Sequence, residues 1–249
     1  YAKVALKFPE EGSVFDYFID PNTKKGEPKR TAHSRDIIPE YKHDRAATYQ
    51  TILVPTLDTT RIQYLSNMLL TLKKPVMLVG NAGSAKTVLL GSMLRELNEE
   101  HWMYYNINFN SMSEAVDTQF MLEAPLEKKT GSIFGPPGSK RLVYFVDDIN
   151  MPTPDKYGTQ SAIALLRQQV DYGGFYDLKK LTMKEIRGVQ YVGAMNPTAG
   201  SFFIIDRMQR HFATFATLFP ETEVLRTIYQ SILAGHLSSN NFSPEMQRV

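Results

Sequence analysis

The 249 residues carry 28 Lys and Arg against 26 Asp and Glu, with 43% hydrophobic side chains, 5 histidines and no cysteine. The apolar share supplies a core for one large domain or two modest ones, and a net charge of +2 provides no broad field for nucleic acid or an anionic membrane. Lack of cysteine excludes disulfides and thiolate metal sites, the histidines make no H-E-x-x-H spacing, and no apolar run approaches the roughly 18 residues of a membrane helix.

Residues 1–50 are rich in turn formers and charge, as in "PEEGSVFDYFIDPNTKKGEPKR", and read as an amino-terminal surface arm. From Thr59, the residues Ile62, Leu65, Leu69 and Leu72 follow helical spacing, with Thr59 or Thr60 placed to cap the first turn. "PVMLV" is a short, fully apolar strand, and Val88, Leu89, Met93, Leu94 and Leu97 describe a helix after the loop that follows it. A second strand spans Trp102 to Asn108, and Ser111 with Glu114 has capping-box spacing for a helix to about Glu123. After the turn-rich "GSIFGPPGSKR" the run "LVYFV" is a buried strand ending at Asp147 and Asp148. Ile163, Leu166 and Val170 mark another helix, "VQYVGAM" a strand ending at Asn196, and "RMQRHFATFA" a short helix entering a last strand. Pro220 to His236 is a final amphipathic helix. Strands separated by helices at this spacing predict an α/β fold, a parallel sheet with helices on both faces. The chain starts at Tyr1 and stops just after a helical pattern, so it reads as a piece of something longer.

Between the first strand and its helix lies "GNAGSAKT", nearly the phosphate-binding pattern G-x-x-x-x-G-K-[ST]. Gly80, Asn81, Ala82, Gly83, Ser84, Ala85, Lys86 and Thr87 form the candidate nucleotide loop, with Ala85 in the place of the second glycine. Such a loop presents backbone N–H groups and a helix's positive end to phosphate oxygens, while the lysine reaches the β- and γ-phosphates and the threonine hydroxyl ligates Mg²⁺. A plain glycine-rich turn is the alternative. A helical Ala85 costs little, whereas a left-handed one costs roughly 1–2 kcal/mol, about tenfold in affinity. Some 60 residues later, "LVYFVDD" has the Walker B arrangement, an apolar strand closed by acids. Asp147 then holds Mg²⁺ through water and Asp148 positions the attacking water; a pair of solvated acids on an edge strand is the competing reading. Asp148 is one methylene shorter than the glutamate many such ATPases use, which predicts slow turnover. Asn196 is a candidate to orient the same water, or else an Asn-Pro turn. Arg207 and Arg210 lie on the short helix, and Arg210 is either a finger acting in trans on a neighbour's nucleotide or a surface arginine. The acceptor pattern "NFS" at Asn241 reads as chance.

This series resembles the AAA+ family. The strings "KFPEEGSVFDYFIDPNTKK", "VGNAGSAKT", "GSIFGPPGSKRLVYFVDDINMP", "YGTQSAIALLRQQVDYGGFYD" and "GAMNPTAGSF" look like the third AAA+ module of an axonemal dynein heavy chain, of the outer-arm β type, from Lys3 to His236. The resemblance implies a P-loop NTPase fold with an arm over 1–50, a large α/β subdomain over 51–219 and the start of a helical lid over 220–249, the rest of the lid being absent. It implies ATP or ADP with Mg²⁺, a regulatory site in a microtubule motor of the ciliary or flagellar axoneme, and Arg210 directed at the preceding module. Its implied partners are adjacent AAA+ modules, microtubules through other parts of the motor, and dynein intermediate and light chains, with no nucleic acid and no membrane. A remodelling AAA+ ATPase and a nucleotide-bound structural module without turnover are the rival functions. Two departures from the family pattern are Ala85 and Asp206, which stands where proline is common before Arg207.

Overall fold

The computed structural model describes residues 17–19, 28–30, 38–197 and 204–239. In chain order the elements are β1 (Tyr17–Ile19), β2 (Pro28–Arg30), α1 (Leu57–Thr71), β3 (Val76–Val79), α2 (Lys86–Arg95), β4 (Trp102–Asn108), α3 (Ala115–Glu123), β5 (Glu127–Thr130) and β6 (Ile133–Gly135). They continue with β7 (Arg141–Asp147), α4 (Ser161–Tyr172), β8 (Gly174–Tyr176), β9 (Met183–Ile186), β10 (Val189–Met195), α5 (Asp206–Gln209), β11 (Ala213–Ala216) and α6 (Thr222–Ser239). Most of the expected arm, and Asn241, lie outside the described residues.

Two compact units divide the chain. The larger holds 47–53 and 62–225. At its centre five strands run in the order β11-β3-β10-β7-β4, and every neighbouring pair is parallel. Successive side chains on a strand point to opposite faces, and here both faces are buried. On β7, Val143 and Phe145 pack with Leu89, Leu90, Met93 and Leu94 of α2 and with Leu70 of α1. Leu142, Tyr144 and Val146 pack with Leu122 of α3, with Ile163 and Leu166 of α4, and with Met208 of α5. Helices therefore cover the sheet on both sides, as a wholly parallel sheet requires. Because all five strands share a direction, β3, β4, β7 and β10 end at one edge, where an α/β fold of this kind leaves its crevice.

The smaller unit comprises the described parts of 1–46, 54–61 and 226–249. In it β1 and β2 pair antiparallel. His43 meets Tyr41 and His236 edge to face, with ring centroids 6.3 Å and 6.0 Å apart. The cap of α1 falls earlier than expected: Thr56, not Thr59 or Thr60, stands before the first turn, and its Oγ1 accepts the Thr59 N–H at 3.3 Å while Thr59 Oγ1 accepts the Thr56 N–H at 2.8 Å.

A second sheet in the larger unit, β5-β6-β9-β8, had no counterpart in the sequence reading. The Lys184 ammonium on β9 fastens it, donating to both carboxylate oxygens of Glu123 at the end of α3 (2.9 and 3.0 Å) and lying 2.8 Å from Asp177 Oδ2. Nor does the capping box form. Asn110 Oδ1 takes the Met112 N–H at 2.8 Å, Ser113 Oγ takes the Asn110 N–H at 3.0 Å, and the helix starts later, at Ala115 after Glu114. Lys184, with the Lys180 and Lys179 N–H groups, holds the Asp177 carboxyl well below the usual aspartate range. A depressed carboxyl contributes stability above its unfolded pKa and loses it as pH falls through the folded value. Lys184→Met is expected to lower Tm by a few degrees near neutrality, and to flatten the loss of stability that the parent shows below about pH 4. Thermal melts across pH check this, and parallel curves for the two proteins would contradict it.

Candidate functional site

The fully buried strand residues Val76, Met77 and Leu78 deliver the chain to Gly80, whose N–H donates to Met195 O of β10 at 3.2 Å. A Cβ on Gly80 would stand 2.2 Å from Thr217 O and 2.3 Å from its Oγ1, so no side chain fits there. Thr217, the residue after β11, is itself pinned by its N–H to Val79 O at 2.7 Å, and its hydroxyl lies 3.1 Å from Ser84 Oγ. The loop then folds upon Asn81 O, which accepts Ser84 N–H (3.3 Å), Ser84 Oγ–H (2.9 Å) and the Lys86 ammonium (2.9 Å). Asn81, Ala82 and Gly83 lie exposed, and Gly83 has φ +81°.

Ala85 takes the costly alternative. Its φ of 60° and ψ of 17° are left-handed, and the helix starts at Lys86. The methyl therefore carries the strain that a glycine there escapes. From Lys86 onward α2 is regular, and the N–H groups of its first turn have no partners within the helix.

Lys86 is 9% exposed. Burial lowers its pKa, and the fields of Asp147 and Asp148 act in the opposite sense. Both its hydrogen-bond acceptors are neutral oxygens, Asn81 O and, at 3.4 Å, Ser84 Oγ. Thr87 is the link to the acids, with Oγ1 donating to Asp147 Oδ2 at 2.9 Å across 60 positions of sequence. Partial burial, and then the Asp147 carboxylate, raise the pKa of Asp148, while Lys86 opposes the rise. Asp148 also has φ 50°, and its N–H donates to Asp147 Oδ1 at 3.1 Å. Asn196 follows β10, the strand between β3 and β7, and its carbonyl accepts from Asn150 Nδ2 at 3.0 Å.

The loop, Asp147, Asp148 and Asn196 thus meet at one edge of the sheet. Arg210 is elsewhere in its bonding. Exposed after α5, its Nη2 lies 3.2 Å from Asp171 Oδ1 on α4, an oxygen that His211 Nε2 approaches to 2.9 Å. Arg207 is exposed on α5. Sequence reasoning missed Thr217 and Asn150. The first carries no pattern of its own, and the second stands inside "VDDINMP", where two acids draw the attention. A separate cleft of about 540 Å³ lies near the amino ends of β4 and β7, lined by Arg95, Trp102, Tyr104 and Lys140, and includes none of these site residues.

The chain matches, over residues 41–220, the family model of a P-loop containing dynein motor region. Among its relatives, human dynein axonemal heavy chain 17 is 47% identical over 98% of this chain, and the ciliary dynein beta chain of Tripneustes gratilla is 48% identical over 98%. The flagellar outer-arm dynein beta chain of Chlamydomonas reinhardtii is 47% identical over 94%. The chain spans 5% of the length of each.

Ala85→Gly is expected to relieve roughly 1 kcal/mol net, since glycine removes the left-handed strain but costs backbone entropy. Tm should rise by a few degrees. Calorimetry checks it; an unchanged or lower Tm would mean that the loop is not strained at this residue.

Proposed function

Because the chain belongs to the family of P-loop containing dynein motor regions, we propose that it is the third AAA+ module of an axonemal dynein heavy chain of outer-arm β type. Its fold is the α/β P-loop architecture of AAA+ modules. In this reading the loop Gly80–Thr87 takes ATP or ADP with Mg²⁺ as a regulatory site of slow turnover. The observation that carries it is the 2.9 Å contact between Thr87 Oγ1 and Asp147 Oδ2, next to a buried lysine at the start of α2. The "axonemal", "ciliary" and "flagellar outer arm" in the relatives' names support a place in the axoneme. Adjacent AAA+ modules, microtubules through other parts of the motor, and intermediate and light chains would then be the partners.

The donor set fits magnesium. A hydroxyl and a carboxylate are hard oxygen ligands, and an ion that keeps several waters needs few protein groups beside the substrate phosphates. Thr87 and Asp147 would hold it, the latter through water, and when bound it would neutralise charge on the phosphates. Lys86 exchanges Asn81 O for a phosphate oxygen, gaining a charge-assisted bond in place of a neutral one. Asp148 orients a water and accepts its proton, and Asn196 aligns the same water. Asp148 reaches about 1 Å less far than glutamate, and such misplacement costs on the order of a hundredfold. Arg210, once released by Asp171, serves the nucleotide of the preceding module. A second reading, a nucleotide-bound structural module without turnover, is favoured by the same short Asp148 and by the left-handed Ala85.

In a heavy chain that carries this module, Lys86→Ala is expected to abolish ATP binding at this loop. Asp148→Glu is expected to speed conversion of bound ATP to ADP here by up to about a hundredfold; an unchanged rate would favour the structural reading. The raised pKa of Asp148 means that its carboxylate protonates before an ordinary aspartate does as pH falls.

A further inference from the structure

The segment just after the two acids is stitched to the end of β10 and to Asn196, which follows it. The ladder between β10 and β7 reaches its last pair at Gly193 and Val146. Beyond it two bonds continue the connection. Ile149 N–H donates to Ala194 O at 3.1 Å, and Asn150 Nδ2 donates to Asn196 O at 3.0 Å. Asn150 is 1% exposed and Ile149 fully buried, so the donor residues of both bonds lie away from water, where an amide that loses its partner is costly. Asp148 stands between these bonds and β7, in the left-handed region, with its carbonyl closing a turn on Met151 N–H at 2.9 Å. The far end of the turn is held by Gln160 Nε2, which donates to Pro152 O at 2.8 Å. On the β4 side Phe109 N–H meets Asp147 O at 3.2 Å and Thr153 N–H meets Ser111 O at 3.2 Å.

The acid turn is therefore fixed on both flanks, and on the β10 flank the last fixed point is the carbonyl of Asn196 itself. A carbonyl held there sets the main chain from which the Asn196 side chain departs. We propose that Asn150 is a positioning residue for the proposed turnover: its amide fixes Asn196 relative to Asp148, so that both address one water. The inference rests on the reading of this edge as a nucleotide site. It adds a residue that touches neither nucleotide nor water and acts through Asn196.

The test uses the full heavy chain with any other phosphate loops silenced by replacing their lysines. It compares the parent, Asn150→Leu, Asn196→Ala and the double variant, with Asn150→Ser as the smaller change where Asn150→Leu gives no folded motor. Magnesium-ATP affinity and the single-turnover rate are both measured. The expected result is a rate reduced at least about tenfold with Kd within about threefold, and a double variant no slower than Asn196→Ala alone, because residues acting as a unit do not add. Affinity and rate falling together, or rate losses that multiply in the double variant, would overturn the proposal and leave Asn150 a packing residue. If the parent binds magnesium-ATP without converting it, the turnover reading fails, and this inference is decided by a map of Asn150→Leu: a displaced Asn196 main chain upholds it, an unmoved one overturns it.

Discussion

A buried ammonium and a carboxylate pair brought to the same edge by parallel strand register is the constraint on which the rest of this structure depends. β3 and β10 pair Val79 with Met195, and β4 and β7 pair Asn108 with Asp147. The strand ends next to the loop, the two acids and Asn196 thus emerge together. Lys86 follows one strand, Asp147 and Asp148 close another, and Thr87 bridges them at 2.9 Å. A one-residue slip of β7 would send its entire apolar set to the wrong face. The core that buries Val143 and Phe145 on one side and Tyr144 on the other therefore also fixes where Asp147 and Asp148 emerge. The local charge is one ammonium against two carboxylates, which by itself repels polyphosphate. A site of this composition suits an anion that arrives with a divalent cation.

Strain gathers at this edge. Ala85 and Asp148 are both left-handed non-glycine residues and flank the same crevice. Each sits beside a contact distant in sequence: the first in a loop braced by Ser84 against Asn81 and Thr217, the second just before Ile149 and Asn150, which bond Ala194 and Asn196. Such conformations persist when their surroundings over-determine them. The neutral oxygens around Lys86 supply partners that a phosphate can replace.

Much of this was legible in the sequence. Central strands read as apolar runs because both their faces are buried, so "PVMLV" and "LVYFV" announced β3 and β7, and Trp102 to Asn108 was the observed β4. The small sheet was not legible. β5 is "EKKT", exposed at every position, and β8 and β9 are short and held through Lys184 by Glu123 and Asp177, which lie outside both strands. Helix starts failed where several capping residues competed, as Asn110 and Ser113 did with Ser111 and Glu114. The loop lysine, threonine and acids could be named from spacing, whereas the backbone of Ala85 was left between two conformations, since alanine favours a helix while the pattern has at that position a glycine, the residue that suits φ of 60°. Contacts such as Asn150 with Asn196, or Arg210 with Asp171, join positions 46 and 39 apart and leave no local trace.

The most direct test of the central claim is a high-resolution structure of the heavy chain with magnesium and a nonhydrolysable ATP analogue. The account predicts density for the analogue's phosphates at the start of α2, with the Lys86 ammonium moved from Asn81 O onto a phosphate oxygen. An analogue absent from this crevice at saturating concentration, with Lys86 still bound to Asn81 O, would contradict it.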